Sequence, residues 1–193
     1  MSRVKVAKII SMTFHPFIWI SFSLFIIAIK ELPSTKNVLF TFLPISLLII
    51  AIPSILLWIF IKKGFASNAY LTDKKEREWF ISLTFAILLP VFIACILFLN
   101  LPKTIILVML LIFINIFIYL FLSRFIKISA HIGVVNSIAI SLSLLYGINF
   151  LLLTLLEIPI AWARYTLKHH SILEMFLAFI ITSIITLFVF IVL

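Results

Sequence analysis

The chain has 193 residues, of which 65% are hydrophobic and 11% are charged. This composition excludes an ordinary soluble domain and indicates a polytopic helical membrane protein. The formal net charge of +9 does not indicate a nucleic-acid partner, because the basic residues form short clusters at the ends of apolar segments, where they suit membrane topology and anionic lipid headgroups. We therefore expect a single all-α transmembrane domain over residues 1–193, with the lipid bilayer as its main partner.

Apolar segments without Asp, Glu, Lys or Arg mark the predicted spans, because about 20 such residues in a helix cross a bilayer core. The first segment follows the basic residues Met1–Lys8 and is too long for the apolar part of a signal peptide, so we expect it to be retained as a span. A polar loop, Lys62–Glu78, separates the second span from the third. The clear spans are Ile9–Ile29, Asn37–Ile61, Trp79–Leu101, Thr104–Ser123 and Ser171–Leu193.

The segment Ala130–Ala163 is too long for one span and short for two. Its middle, Tyr146–Asn149, contains a glycine and an asparagine, which favour a break in a helix. We therefore predict a hairpin of two short helices here, and a polytopic transmembrane bundle of about seven helices in total.

The distribution of basic residues predicts the orientation of these spans. With seven spans, the segments that share one face are the N-terminus, Lys62–Glu78, Arg124–His131 and Arg164–His170. These segments contain all of the 15 Lys and Arg residues except three. The three on the opposite face are Lys30, Lys36 and Lys103. Because short basic loops are retained in the cytoplasm, we expect the crowded face to be the cytoplasmic face of the plasma (inner) membrane.

One segment near the end of the chain, Arg164–Glu174, combines an arginine, a histidine and a carboxylate at a predicted membrane edge, where ionisable groups are costly and tend to be functional. His170 and Glu174 are four residues apart, so they lie on one face of a helix. A carboxylate that holds one imidazole nitrogen leaves the other nitrogen available as a nucleophile. Arg164 adds a planar set of donors suited to phosphate.

This segment resembles the third motif of the type-2 phosphatidic acid phosphatase superfamily, which reads Ser-Arg, five residues, His, three residues and Asp. The chain has Ala163 and Arg164, then five residues, His170, three residues and Glu174. Glutamate in place of aspartate keeps the charge and lengthens the side chain by one methylene.

A second motif of that family, Pro-Ser-Gly-His, resembles Ile128-Ser129-Ala130-His131 in this chain. The order of the two motifs and the helical hairpin between them also fit. The resemblance covers about residues 73–193 and implies a phosphatase-like core, with six helices as one possible arrangement.

The family's first motif, Lys, six residues and Arg-Pro, is incomplete here. If Arg77 is its arginine, Tyr70 occupies the lysine position and Glu78 the proline position. Lys74 and Lys75 are both candidates to replace the missing lysine, and the spacing does not choose between them.

The resemblance implies an integral membrane hydrolase that acts on a lipid or isoprenoid phosphate or diphosphate, without a metal or another cofactor. His170 would attack phosphorus and form a phosphohistidine, Glu174 would fix its tautomer, and His131 would protonate the leaving alkoxide. The residues expected to bind the phosphate are Arg77, Lys127, Ser129 and Arg164.

Two other functions remain open from the sequence. The first is a metal-dependent hydrolase that uses His169, His170 and Glu174, although adjacent histidines do not easily point at one ion. The second is a non-catalytic lipid-binding or transport protein related to the phosphatases, which the incomplete first motif favours. A chelator distinguishes the metal-dependent enzyme from the metal-independent one.

Two further ionisable residues lie within predicted spans. His15 has no evident partner, and we expect it to be a buried structural histidine. Glu157 precedes Arg164 by seven residues and therefore shares its helical face. The sequence is compatible both with Glu157 lining a pocket and with Glu157 neutralising an arginine.

Overall fold

The computed structural model describes residues 2–68, 71 and 73–193, and these residues form helices and connecting turns without a β-strand. Six helical segments are long and apolar enough to cross a membrane, and Ala130–Tyr146 is a shorter apolar helix. The predicted all-α, polytopic transmembrane fold is therefore confirmed. The expected number of about seven helices is confirmed for the described part of the chain when each span that consists of two consecutive helices is counted once.

The helices follow one another with short connections. In chain order they are α1 (Arg3–Thr13), α2 (Pro16–Glu31), α3 (Thr35–Lys62), α4 (Lys74–Phe98), α5 (Lys103–Leu122), α6 (Ala130–Tyr146), a 3₁₀ helix (Ile148–Leu156), α7 (Glu157–Thr166) and α8 (Ile172–Val192).

The first predicted span, Ile9–Ile29, differs from the structure at both its start and its middle. Helix α1 already begins at Arg3, where Ser2 accepts a hydrogen bond from the backbone N–H of Lys5. The helical path is then interrupted between Thr13 and Pro16. Pro16 begins α2, because a proline is tolerated in the first turn of a helix but not in its interior.

The predicted polar loop Lys62–Glu78 is also shorter in the structure, because its last residues belong to α4. Asp73 caps this helix by accepting hydrogen bonds from the backbone N–H groups of Lys75 and Glu76. We predicted a loop here because these residues are charged. An N-cap aspartate followed by charged residues is nevertheless a normal helix start. Tyr70, which aligns with the family's first motif, lies outside the described residues.

The hairpin predicted within Ala130–Ala163 is present, with its break at Gly147. This glycine has a φ of +117°, which residues with a side chain rarely adopt. The second arm begins as a 3₁₀ helix, continues as α7 and extends to Thr166.

The chain folds as two compact units, one formed by Met1–Ser23 and Phe125–Leu193 and the other by Leu24–Arg124. In the first, which we call the hairpin unit, α1 packs on α7, and α6 packs on α8 and on the 3₁₀ helix. In the second unit, α4 packs on both α3 and α5. The phosphatase-like core expected from residue 73 onward covers parts of both units, and its extent stays a prediction.

An apolar cluster and a polar contact hold the hairpin unit together. The buried residues of the cluster are Ile132, Val135, Ile160, Met175 and Ala178. Next to it, the side-chain amide of the buried Asn136 lies 2.9 Å from the carbonyl oxygen of Phe179, 2.9 Å from Thr182 Oγ1 and 2.8 Å from Ser183 Oγ. Such polar contacts between apolar helices fix their relative rotation.

Candidate active site

The chain reverses sharply between α7 and α8, and this turn carries the predicted nucleophile. The N–H of His169 donates to the carbonyl of Arg164, and the N–H of Lys168 donates to the carbonyl of Tyr165, at 3.0 and 2.9 Å. These two bonds form a Schellman motif, which normally has glycine in its left-handed position. Here Lys168 occupies that position with a φ of +55°.

The first turn of α8 is closed by a reciprocal capping box. The Ser171 side chain accepts from the backbone N–H of Glu174, and Glu174 Oε2 accepts from the backbone N–H of Ser171 at 2.9 Å. This arrangement fixes the Glu174 carboxylate at the start of the helix, facing back toward the turn.

The same Glu174 oxygen holds His170. His170 Nδ1 lies 3.3 Å from Glu174 Oε2 and 3.2 Å from the backbone carbonyl oxygen of Lys127. Both of these atoms are acceptors, so we assign the proton of the ring to Nδ1. The Nε2 atom then carries the lone pair, as a nucleophilic histidine requires.

The surroundings of His170 keep its ring uncharged. Burial, together with the nearby positive charges of Arg164 and Lys127, lowers the pKa of His170 to about 3. The side chain is 7% exposed, so burial has a large effect. The contact between His170 and Glu174 is therefore a hydrogen bond to a neutral imidazole rather than an ion pair.

Arg164 is buried in the hairpin unit with 5% of its surface exposed. Its NH1 atom donates to Ser11 Oγ at 2.8 Å. Ser11 lies in α1, which packs on α7. A guanidinium held in this way is oriented before any ligand arrives.

Ser11 also links Arg164 to His131. His131 Nε2 lies 3.2 Å from the Ser11 carbonyl oxygen and 3.5 Å from Ser11 Oγ. His131 interacts electrostatically with both Arg164 and His170. The structure thus brings together the predicted nucleophile, the predicted acid and one predicted arginine.

The remaining residues predicted to bind phosphate are Ser129, Lys127 and Arg77. Ser129 precedes α6 and is fully buried, and its Oγ has no hydrogen-bond partner among the described residues. Lys127 contributes its carbonyl to His170, as well as its charge. Arg77 belongs to α4 in the other unit, and its role in the site stays a prediction.

Two residues of this site were not predicted from the sequence. Ser11 was missed because a serine inside an apolar segment has no distinctive spacing. His15 was expected to be structural without a named partner, and its ring lies 5.8 Å from the ring of His131 in an edge-on arrangement. The available signal was an ionisable residue, His15, inside an otherwise apolar segment.

His169, the other imidazole of the turn, is less deeply buried than His170. Burial and the charges of Arg164 and Lys127 lower the pKa of His169 to about 4. Within the described residues, no group of three or more His, Cys, Asp or Glu side chains is arranged to hold a metal ion.

A groove adjoins the site on the side of α6, α7 and α8. Its volume is about 570 Å³, within the range of about 300–1,000 Å³ found for small-molecule sites. The groove is lined almost entirely by apolar and aromatic side chains, with Glu157 and Thr154 as its polar residues.

Comparisons with known proteins returned no matching family model, no matching curated protein and no matching solved structure. The functional interpretation therefore depends on the geometry of the hairpin unit. Its chemical features are an oriented neutral histidine, a carboxylate that holds it and a buried arginine.

Proposed function

We propose that this protein is an integral membrane phosphatase that hydrolyses a lipid or isoprenoid phosphate or diphosphate through a phosphohistidine intermediate. The observation that carries the proposal is the position of His170 Nδ1 between Glu174 Oε2 and the carbonyl of Lys127. This arrangement supports Nε2 as the attacking atom. The resemblance of the two sequence motifs to the phosphatase superfamily supports the same chemistry.

In the first step, the lone pair of His170 Nε2 forms a bond to phosphorus while the bond from phosphorus to the lipid oxygen breaks. His131 enters this step as the imidazolium and gives its Nδ1 proton to that oxygen, so the lipid leaves as an alcohol, while the Nε2 proton stays toward the Ser11 carbonyl. The phosphorylated imidazole retains its Nδ1 proton and carries a positive charge, which the Glu174 carboxylate stabilises.

In the second step, water attacks the phosphorus and the bond between phosphorus and Nε2 breaks. His131, now neutral with its remaining proton on Nε2, accepts a proton from the water at Nδ1. The products are inorganic phosphate and the restored neutral His170. For a diphosphate substrate the leaving group is the lipid monophosphate instead of the alcohol.

The cations of the site support stabilisation of the transferred phosphoryl group. Arg164 is already oriented by Ser11, and Lys127 is close enough to His170 to act on its charge. We propose that Arg164 and Lys127 bind the non-bridging oxygens, where negative charge develops, together with Ser129.

The decisive experiment is phosphate release from a panel of lipid and prenyl phosphates by the purified protein in detergent, with His170→Ala as the inactive control. A phosphorylated protein that is stable in alkali, labile in acid and absent in His170→Ala identifies the intermediate. We expect activity to survive EDTA and to be inhibited by vanadate. Loss of activity in EDTA with recovery in zinc would replace this mechanism with the metal-dependent one.

The non-catalytic alternative, a lipid-binding or transport protein, has its own outcome in the same experiment. It predicts binding of lipid phosphates without phosphate release and without a phosphorylated protein. The predicted position of the site on the cytoplasmic face suits a substrate made in the inner leaflet.

A further inference from the structure

Three histidines of the hairpin unit stand at the starts of three helices. His15 directly precedes α2, His131 is the second residue of α6, and His170 directly precedes Ser171, the N-cap of α8. The ring of His131 lies 5.8 Å from the ring of His15, and His131 interacts electrostatically with both other histidines. Because the N-terminal end of a helix carries a partial positive charge, these three helix starts add to a site that favours an anion.

The electrostatic interactions give the order of the three imidazoles. His131 interacts with His15 and with His170, whereas no such interaction joins His15 to His170. His131 therefore lies between the other two. The charge of Arg164 acts on all three rings. The site thus has a reactive end at His170 and a second end at His15.

His15 is held in place and still has a free ring. Its backbone carbonyl accepts hydrogen bonds from the N–H groups of Ile18 and Trp19, at 3.0 and 3.2 Å, and its ring lies 5.1 Å from the ring of Phe17. The residue is partly exposed. Its ring nitrogens hydrogen-bond no residue in the described part of the chain, and neither is among the fully buried polar atoms. A ligand can therefore reach the N–H donor that a neutral imidazole offers.

We infer that His15 donates a hydrogen bond to the second phosphate of a lipid diphosphate, which is the phosphate that leaves with the lipid. The inference rests on the proposed function, since His170 must receive the terminal phosphate. His15 is a binding residue in this role and keeps its proton throughout.

The reaction explains why a second phosphate belongs at this end of the site. His170 Nε2 forms a bond to the terminal phosphorus while the bond from that phosphorus to the bridging oxygen breaks. His131 gives its Nδ1 proton to the bridging oxygen, and the lipid monophosphate leaves beside His15. In a monophosphate ester the group at this position is a hydrocarbon chain, which accepts no hydrogen bond and leaves the donor of His15 unused.

The test compares an alkyl diphosphate with the alkyl phosphate of the same chain, as the ratio of their kcat/KM values. We expect the wild-type protein to favour the diphosphate and His15→Phe to lower the ratio by about tenfold or more. Phenylalanine keeps an aromatic ring beside Phe17 but has no donor. His15→Gln keeps an N–H donor and should retain more of the ratio. His169→Phe is the matched control and should leave the ratio unchanged; an equal loss there would overturn the inference.

Binding of the matching non-hydrolysable bisphosphonate and phosphonate, measured by calorimetry in detergent, separates this inference from the phosphatase proposal. His15→Phe should weaken the bisphosphonate by about tenfold and leave the phosphonate unchanged. That result without any hydrolysis would overturn the phosphatase and support the role of His15. Hydrolysis with an unchanged ratio in His15→Phe would do the reverse. Equal binding of the two compounds by the wild-type protein would overturn the inference even if His15→Phe does not fold.

Discussion

Glu174 has two roles that a single substitution can separate. Glutamine can still complete the capping box with Ser171 but carries no negative charge. We expect Glu174→Gln to leave thermal stability nearly unchanged and to lower kcat by about 100-fold or more, because the charged phosphoimidazole loses its counter-charge. Phosphate release and thermal unfolding of the purified protein measure the two effects.

Glu174→Ala provides the comparison for this prediction, since it removes the helix cap as well as the charge. It should lower both stability and kcat. Full activity of Glu174→Gln would contradict the assigned role of the carboxylate.

The ionisation of His170 gives a second prediction at the scale of one residue. Because its pKa is lowered to about 3, we expect nitrogen NMR of labelled protein to show a neutral ring with the proton on Nδ1 from pH 8 down to about pH 5. The signal is assigned by its absence in His170→Ala. A ring that becomes protonated near pH 6.5, the ordinary value, would disprove the buried neutral state.

The lowered pKa of His170 also determines how its contribution to stability changes with pH. Between pH 6.5 and about 3, the unfolded chain binds a proton that folded His170 does not bind. The contribution of His170 to the free energy of unfolding therefore decreases as the pH falls through this range.

At the scale of elements, α1 contributes to the site through Ser11. We expect Ser11→Ala to lower kcat/KM by about tenfold, because the Arg164 guanidinium loses a hydrogen bond that orients it. Ser23→Ala is the matched control, since Ser23 is also a buried serine but donates to the carbonyl of Ile20 in its own helix. Equal losses in the two variants would show that Ser11 has no specific role.

The turn between α7 and α8 is strained at Lys168. A left-handed conformation costs a residue with a side chain about 1–2 kcal/mol. We expect Lys168→Gly to raise the free energy of unfolding by about 1 kcal/mol. Lys168→Ala, which removes the charge but keeps the strain, should not produce this gain. Unfolding in mixed detergent micelles measures the difference.

The sequence predicted elements better than it predicted contacts. The spans and the break at Gly147 could be predicted because length, hydropathy and a glycine act locally along the chain. The pair His170 and Glu174 could be predicted for the same reason, since the two residues are only four positions apart, although His170 precedes the N-cap Ser171 instead of lying on the helix. Ser11 could not, because its contact with Arg164 joins residues 153 positions apart and depends on how α1 packs on α7.

At the scale of the whole molecule, orientation in the membrane is the main prediction. A cysteine placed at Ser67 in a Cys95→Ala background should resist a membrane-impermeant reagent outside intact cells, because the basic loop that contains it is expected in the cytoplasm. A cysteine at Pro33, before α3, should be labelled instead, since one span separates the two positions.

The same assay at Lys168 tests the face of the candidate active site directly. Protection of Lys168→Cys from the external reagent, with labelling after the cells are opened, is the expected result. Labelling from outside would indicate a phosphatase that works on the outer leaflet.

The contact between Ser11 and Arg164 has a consequence for how the protein is made. Ser11 is synthesised early, whereas Arg164 follows 153 residues later. A partly made chain therefore contains the first helix without the arginine that it orients. We expect catalytic competence to arise late in biogenesis, after the final hairpin has entered the membrane and docked on α1, so that no nascent fragment can consume lipid phosphates before insertion is complete.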